Sequence, residues 1–383
     1  TIFIKKIRME KFYTSLGLMS GTSMDGIDAS IIRSNGEDQY ESIFNEYFAY
    51  DEVTYKDLVN LRNKINSAND LILNSKLIKD IEKKITLFHG QICNKVIEKN
   101  SIHIDLIGFH GQTIFHDAKQ KISKQLGDGF LLSGLLKKEV VYNFRANDIA
   151  NGGQGAPLAP IFHNLLVNKI QTKLPVCVLN IGGIANITII TSGKNEDMKS
   201  YDIGPGNCLL DEWVRKHTKN RYDKDGTEAN AGKTNEVILN QAIENFDNIE
   251  VSSNLSFDIK DFDLSFVRGL SYEDGLSTLT DFTSVIIYQS IAKIININQN
   301  KKFTILVCGG GRKNITLMNC IKKKLPNNIS LNSIDDFHVD GDFIESQAFA
   351  YLAIRSLLKK KISFPKTTNV KKSCTGGVLV KNY

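Results

Sequence analysis

The sequence predicts a two-lobed α/β protein in which two copies of one domain face each other across a cleft. The chain has 383 residues, which is more than a single hydrophobic core usually organises. Two segments of similar design, residues 16–32 and 176–190, open its two halves. In each segment, glycines and small polar residues separate two apolar runs, as in a pair of antiparallel strands. One such hairpin in each half indicates a duplicated α/β domain.

The elements between these hairpins follow from apolar periodicity. Helices are predicted at 55–65, 71–100 and 343–358, and strands at 104–109, 140–144 and 303–308. A loop rich in glycine and proline covers residues 151–160, and the domain break is expected near residues 143–152. We therefore assign residues 1–142 plus 366–383 to a first lobe and residues 143–365 to a second lobe.

Composition argues against membrane, secreted and nucleic-acid-binding classes. No apolar run reaches the roughly 18 to 20 residues that span a bilayer, and Thr1 to Glu10 lack the apolar core of a signal peptide. The six cysteines are scattered without a CxxC pair, which fits a reducing cytoplasm. The net charge of +6 comes from dispersed lysines, which indicates a solvated surface. We expect a cytoplasmic protein without a membrane or nucleic-acid partner.

The turn of the first hairpin carries groups suited to a nucleotide phosphate. Gly21 lets backbone N–H groups approach an anion, and Thr22 and Ser23 add hydroxyl donors. Asp25 and Asp28 could hold Mg²⁺ through water, because magnesium prefers carboxylates and keeps most of its hydration shell. The alternative is an ordinary turn stocked with turn-forming residues, and these residues alone favour neither interpretation.

An aspartate beside a Gly-Pro-Gly turn is the candidate catalytic group. Asp202 comes directly before Ile203 and residues 204–206, so its carboxylate stands next to rigid backbone. A buried Asp that faces a cleft could act as general base on a hydroxyl or a water molecule. The alternative is that Asp202 caps the helix that begins near Leu209. One carboxylate cannot easily serve both roles.

A polar loop and a run of glycines complete the candidate site. In the loop at residues 143–158, the planar guanidinium of Arg145 has N–H donors arranged to bind a carboxylate. The side chains of Asn147 and Gln154 offer donors and acceptors for sugar hydroxyls or an amide. The alternative is a polar interdomain loop without a ligand. His110, before a Gly-Gln-Thr sequence, suits a positioning role better than a metal-ligand role. A nucleotide could lie against the backbone of Gly309, Gly310 and Gly311, which follow a buried strand.

Together these segments resemble the anhydro-N-acetylmuramic acid kinase family, which has an actin/hexokinase-like (ribonuclease H-like) fold with an interdomain active-site cleft. The matching segments follow the family order and lie at residues 17–28, 108–116, 143–158, 179–186, 202–207 and 308–314. The resemblance implies ATP and Mg²⁺ as cofactors and 1,6-anhydro-N-acetylmuramic acid, a product of peptidoglycan turnover, as substrate. It implies that water opens the anhydro bond while O6 is phosphorylated, which yields N-acetylmuramic acid 6-phosphate and ADP. It also suggests a homodimer.

The resemblance implies roles for individual residues. Asp202 would activate the water that attacks C1, and Asp25 and Asp28 would be the metal residues. Nucleotide contacts are implied for Gly21, Thr22, Ser23, Met24, Asp25, Gly26, Ile27, Asp28, Gly182, Gly183, Asn207, Gly309, Gly310, Gly311 and Asn314. Substrate contacts are implied for Arg145, Asn147, Gly153, Gln154, Gly155, His110 and Glu345. Two departures bear on substrate affinity: Ile203 replaces a Thr of many members, and only Ser256 remains of a Lys-Ser pair.

Three other functions are compatible with the same residues. One is a kinase or hydrolase of this fold that acts on another sugar, and another is a non-catalytic regulator that binds a sugar or ATP. The third is an actin-like or chaperone-type assembly protein. The presence of Asp25, Asp28 and Asp202 argues against a loss of catalysis, and the polar loop argues against an assembly protein.

Overall fold

The computed structural model describes residues 10–250, 257–297 and 302–383. Its strands are β1 (Tyr13–Ser20), β2 (Gly26–Ser34), β3 (Tyr40–Ala49), β4 (Leu106–Asp117), β5 (Ile122–Leu126), β6 (Glu139–Tyr142), β7 (Val176–Ile181), β8 (Ile184–Ile190), β9 (Lys199–Pro205), β10 (Phe303–Cys308), β11 (Ile329–Ser333) and β12 (Val378–Val380). Its helices are α1 (Glu52–Lys64), α2 (Ala68–Leu73), α3 (Ser75–Asn100), α4 (Gly129–Leu136), α5 (Ala146–Ala150), α6 (Pro160–Ile170), α7 (Cys208–His217), α8 (Thr227–Ala231), α9 (Glu236–Glu250), α10 (Tyr272–Ile297), α11 (Ile315–Lys324), α12 (Ile344–Leu357) and α13 (Pro365–Thr368).

Two sheets with the same strand order organise the molecule. Within the described residues, the first sheet has seven strands in the order β12-β6-β4-β1-β2-β3, with β5 paired to β4. The second has five strands in the order β11-β10-β7-β8-β9. In each sheet a three-stranded antiparallel unit is extended by two parallel strands beyond its first strand. This repetition confirms the predicted duplicated, two-lobed α/β fold.

The local sequence explains most element boundaries. The first predicted helix begins earlier than expected, because Asp51 accepts a hydrogen bond from the Thr54 N–H at 2.7 Å and caps α1. The predicted helix at 71–100 is divided into α2 and α3 at Asn74, whose side chain donates to the Asp70 carbonyl at 2.9 Å. The strand predicted at 104–109 continues to Asp117, because β5 pairs with its second half.

Helix α12 packs against the first sheet, although our division of the chain placed it in the second lobe. A Cβ atom on Gly17 would lie 2.0 Å from the Ser346 carbonyl oxygen, and one on Gly108 would lie 2.3 Å from the Phe349 carbonyl oxygen. The two glycines therefore let the backbone of α12 lie directly on β1 and β4. By packing, α12 goes with the first sheet, whereas β10 and β11 pair within the second.

A shared hydrophobic core joins the two sheets. It contains residues of the first sheet, such as Leu106, residues of the second, such as Val178, and buried side chains of α6 and α12. Separate apolar clusters fill the outer side of each sheet. No helix in the described ranges is long and apolar enough to cross a membrane.

Candidate active site

The two glycine turns meet across the cleft. A Cβ atom on Gly183, in the turn between β7 and β8, would lie 2.4 Å from Oγ1 of Thr22, in the turn between β1 and β2. The side-chain amide of Gln112 donates to the Gly21 carbonyl at 2.8 Å and ties the first turn to β4. Met24 and Ile27 are buried in the core. Any ligand contact at these two residues would therefore come from their backbone.

Several carboxylate side chains lie close to the glycine turn between β1 and β2. The pKa of Asp28 is raised to about 8, first by burial and then by the negative charge of Glu345 and Asp25. Asp342 and Asp340 act in the same direction. Such a concentration of negative charge suits a divalent cation. Within the described part of the chain, no three His, Cys, Asp or Glu side chains form a metal site by themselves.

The glycines of the second lobe pack tightly around the end of β7. The Gly206 N–H donates to the Gly183 carbonyl at 2.9 Å, and the Asn207 N–H donates to the Gly182 carbonyl at 2.8 Å. A Cβ atom on Gly311 would lie 2.2 Å from Cγ2 of Ile181. These contacts bring most of the predicted nucleotide residues of this lobe to one edge of the second sheet.

Residues 309–314 have different roles in this edge. Gly309 has a φ of +79°, which favours glycine, and its N–H donates to the Gly341 carbonyl at 3.1 Å. A Cβ atom on Gly310 would have the Asn207 side-chain nitrogen as its nearest neighbour, at 3.9 Å. The side chain of Asn314 accepts a hydrogen bond from the Leu317 N–H at 2.9 Å. Asn314 thus caps α11, a use that its motif did not predict.

Two neighbours hold the side chain of Arg145 in a fixed orientation. Its Nη1 donates to the Gly155 carbonyl at 2.9 Å, and its Nη2 lies 3.0 Å from Nε2 of His110. His110 Nδ1 lies 2.8 Å from the Gly111 carbonyl, so Nδ1 carries the proton and Nε2 accepts from Arg145. Burial and the adjacent guanidinium lower the pKa of His110 to about 3, so the ring is neutral. Nε of Arg145 is buried without a partner in the described structure.

Asp202 faces Arg145 and does not cap a helix. Its Oδ2 accepts a hydrogen bond from the Phe257 N–H at 2.9 Å. Burial raises the pKa of Asp202 to about 6, although the Phe257 N–H and the positive charge of Arg145 oppose the rise. Helix α7 begins after Asn207 without a side-chain cap. The structure therefore excludes the capping role that we weighed for Asp202.

Glu345 completes this group from the first turn of α12. Burial raises the pKa of Glu345, and the charge of Arg145 opposes the rise. Glu345 and Asp202 are the first two charges that favour the protonated guanidinium of Arg145. One half-buried guanidinium therefore lies near two carboxylates, Asp202 on β9 of the second sheet and Glu345 on α12, which packs on the first sheet.

Other predicted substrate residues shape the loop around Arg145. A Cβ atom on Gly153 would lie 2.1 Å from Oδ1 of Asp148, which is fully buried. Asp148 in turn accepts hydrogen bonds from the Gly155 N–H at 2.7 Å and from the Thr368 hydroxyl at 2.5 Å. The Asn147 side chain donates to the Thr375 carbonyl at 2.5 Å, so it is engaged with the C-terminal segment. The Gln154 N–H donates to the Thr368 carbonyl at 2.8 Å.

Three residues near the site were missing from our predictions. His116 has Nδ1 at 3.0 Å from the Ser123 hydroxyl, while its Nε2 is buried without a partner among the described residues. Arg62 donates from Nη1 to the Thr22 carbonyl at 3.2 Å. Burial raises the pKa of Asp211, in the first turn of α7, to about 7. Only His116 lies in a segment that we had singled out.

The two departures from the family motifs have separate outcomes. Ile203 is fully buried with Ile187 and Ile287 in the core of the second lobe. Ile203 is the extra residue of a bulge in β9, because Asp202 pairs with Asn186 and Gly204 pairs with Ala185. Ser256 lies outside the described residues.

Comparison with known proteins identifies relatives along almost the whole chain. The family model for anhydro-N-acetylmuramic acid kinase matches residues 13–382. A protein of that name from Pelagibacter ubique is 70% identical over 375 residues, covering 98% of this chain and 100% of the relative. Another from Zymomonas mobilis is 38% identical over 374 residues, covering 95% and 98%. A third from Agrobacterium fabrum is 35% identical over 388 residues, covering 97% and 100%.

Proposed function

The chain belongs to the anhydro-N-acetylmuramic acid kinase family, and we propose that Asp202 and Arg145 form the centre at which it carries out the family's reaction. The enzyme is a phosphotransferase that converts 1,6-anhydro-N-acetylmuramic acid, ATP and water to N-acetylmuramic acid 6-phosphate and ADP, in peptidoglycan recycling. The family match confirms the predicted family and activity. The observation that supports the proposed centre is the position of one half-buried guanidinium within electrostatic range of two carboxylates, Asp202 in the second lobe and Glu345 on the helix that packs on the first sheet.

Asp202 acts as the general base in this proposal. A pKa of about 6 leaves its carboxylate ionised at neutral pH and still basic enough to take a proton from water. Oδ2 already accepts from the Phe257 N–H, so Oδ1 is the oxygen that receives the proton. The water oxygen bonds to C1 as the C1–O6 bond breaks, and O6 takes the γ-phosphoryl group from ATP while ADP leaves.

Arg145 orients the substrate. Its fork is fixed by Gly155 and His110, so little conformational freedom is lost when an anion binds. The unpartnered Nε–H is available to a carboxylate, and the lactyl group of the substrate carries one. Glu345, the other carboxylate near the guanidinium, contributes an acceptor for a sugar hydroxyl.

The two facing turns hold the nucleotide. Gly183 lies against Thr22, so phosphates placed between the lobes would reach backbone N–H groups of both turns. Asp25 and Asp28 would hold Mg²⁺, and the negative charge of neighbouring carboxylates, which helps to raise the pKa of Asp28, supports this assignment. When bound, the ion neutralises charge on the transferred phosphoryl group.

We place the enzyme in the cytoplasm as a homodimer. ATP is the co-substrate, and the six cysteines form no disulfide, as expected in a reducing compartment. The homodimer rests on the family resemblance. Light scattering of the purified protein measures the oligomeric state directly, and a monomer mass would contradict the dimer.

The experiment that tests the proposed function follows both halves of the reaction. The enzyme is incubated with 1,6-anhydro-N-acetylmuramic acid, Mg²⁺-ATP and ¹⁸O-water, and ADP release and product mass are measured. We expect sugar-dependent ADP release and a product with ¹⁸O at C1 and phosphate at O6. Asp197→Asn, at an exposed aspartate paired with Lys366, is the matched control for Asp202→Asn. ADP release without the sugar, or ¹⁸O in the phosphate, would contradict the proposal.

A further inference from the structure

Residues 257–262, here named the bridging segment, are anchored in the second lobe by two aromatic rings. The rings of Phe257 and Phe262 lie 5.4 Å apart. Each also lies 6.3 Å from the ring of Phe246 in α9. All three belong to the apolar cluster around α7 and α10. The backbone of the bridging segment therefore moves with the second lobe.

Two charged side chains of the bridging segment reach the end of α1 in the first lobe. Oδ1 of Asp258 accepts from Nη2 of Arg62 at 3.1 Å. Nζ of Lys260 donates to the carbonyls of Arg62 and Ile65 at 2.9 and 2.6 Å, and to Oδ1 of Asn66 at 2.9 Å. The Arg62 carbonyl also accepts from the Ile65 N–H at 3.1 Å, so Lys260 adds a second donor there and pairs the Ile65 carbonyl just beyond the helix. A cation also complements the negative end of the helix dipole.

The ion pair between Arg62 and Asp258 is shielded from solvent on the Arg62 side. Only 8% of the Arg62 side chain is exposed, compared with 20% of the Asp258 side chain. Nη1 of Arg62 meanwhile donates to the Thr22 carbonyl in the nucleotide turn at 3.2 Å. A shielded pair of this kind is screened less by salt than a surface pair, so it should persist at higher ionic strength.

The same segment contacts the proposed base. The Phe257 N–H that donates to Oδ2 of Asp202 belongs to the residue directly before Asp258. Whatever fixes Asp258 and Lys260 on the first lobe therefore also fixes this N–H. Within the described residues, no other group donates to the Asp202 carboxylate, and the charged group that faces it is Arg145.

We propose that Arg62 and Lys260 are positioning residues, which hold the bridging segment across the cleft so that the Phe257 N–H orients the Asp202 carboxylate when the lobes are closed. This inference rests on the proposed role of Asp202 as general base. Closure then does two things at once. Arg62 contacts the nucleotide turn, while the bridging segment leaves Oδ1 of Asp202 as the oxygen free for water.

Lys260→Ala tests this inference, because all three acceptors of Lys260 lie at the end of α1 and none of them belongs to a predicted nucleotide or substrate residue. We expect a kcat about tenfold lower, the factor that one hydrogen bond to a charged group supplies. The KM for ATP should stay within about twofold of wild type, because no ligand contact changes. An N–H donor lowers the pKa of a carboxyl group, so the acidic limb of the pH profile should move up by about one pH unit.

Three further variants make the test specific. Lys260→Arg keeps a cation with several donors, so it should restore most of the lost rate. Lys216→Ala removes an exposed lysine that pairs with Glu212 on α7 and should behave as wild type. Asp258→Asn breaks the ion pair with Arg62 without changing Lys260. It should reproduce both the lower kcat and the upward shift of the acidic limb of the pH profile. Thermal melting of each variant identifies any that fails to fold.

The outcomes separate this inference from the proposed function. If Asp202→Asn is inactive while Lys260→Ala and Asp258→Asn both keep the wild-type kcat and pH profile, the positioning role is wrong and the base remains. A lower kcat with an unmoved acidic limb would refute the route through the Phe257 N–H. If Asp202→Asn turns over normally, the proposed base itself is wrong.

Discussion

Replacing Asp202 by Asn should abolish turnover and at the same time stabilise the fold. The side chain keeps its size, and an Asn oxygen can still accept from the Phe257 N–H. The substitution removes a negative charge that is costly to bury, as the raised pKa of Asp202 shows. Activity and stability therefore change in opposite directions at one position, which is expected when a catalytic group is held in an unfavourable environment.

The size of the stabilisation follows from the pKa of Asp202 in the folded chain. That value is about 6, against an ordinary value of 3.8. The folded state therefore holds the proton more tightly than the unfolded state, so the ionised carboxylate costs stability as pH rises from about 4 to about 6. The difference corresponds to about 3 kcal/mol at pH 8 and to about 1 kcal/mol at pH 4.5. Asn, which does not titrate, avoids this cost at every pH.

Thermal melting at the two pH values measures the effect. At pH 8 we expect the melting midpoint of Asp202→Asn to be higher than wild type by roughly 3 to 6 °C. The difference should shrink to about a third of that at pH 4.5, because most of the wild-type carboxylate is then protonated in the folded state. Asp197→Asn, at an exposed site, should show no such pH-dependent gain. A lower midpoint for Asp202→Asn at pH 8 would refute the reasoning.

Three further predictions concern the other parts of the site. Arg145→Lys loses the planar guanidinium that the Gly155 carbonyl orients, so kcat/KM for the sugar should fall by about 10- to 100-fold while the KM for ATP is unchanged. Wild-type kinetics in this variant would contradict the role of Arg145 in orienting the sugar. The pKa of Asp28 is raised to about 8, so its carboxyl group is mostly protonated at pH 7. Binding of Mg²⁺-ATP at pH 7 should therefore release about 0.9 proton from Asp28, measured by calorimetry in two buffers. The Asp28→Asn variant should release none. Gly17→Ala places a Cβ atom 2.0 Å from the Ser346 carbonyl oxygen, so the free energy of unfolding measured in urea should fall by about 3 kcal/mol. Gly269→Ala is the control, because a Cβ atom there has no neighbour within 4 Å, and it should leave the free energy of unfolding unchanged.

Sequence alone predicted the parts of the fold that depend on local patterns. The hairpin turns could be found because glycine and small polar residues interrupt apolar runs, and β10 because it is a short apolar run that ends in glycines. The packing of α12 on the first sheet could not be predicted, because the apolar spacing of a helix shows that one face is buried but not which sheet covers it. The decisive contacts are between Gly17 and Ser346, which are far apart in the chain.

The same limit applies to the candidate site. Asp202, Arg145 and the glycine turns lie in short motifs whose residue types suit the chemistry. Arg62 lies in the last turn of α1, where a basic residue is common, and its contact with Thr22 joins residues 40 positions apart. The Phe257 contact is made by a backbone N–H, which every residue except proline possesses, so no side-chain pattern could single it out.

The charges assembled in the cleft constrain how its ligands bind. Burial raises the pKa of Asp28, and the negative charge that Glu345 and Asp25 place near the first turn raises it further. The phosphates of ATP would add to this charge, so nucleotide without a divalent cation should bind poorly at a pH where Asp28 is ionised. Arg145 does not relieve the problem, because its charge is already close to Asp202 and Glu345. The cation and the nucleotide therefore have to enter together, and the guanidinium is left to the carboxylate of the sugar.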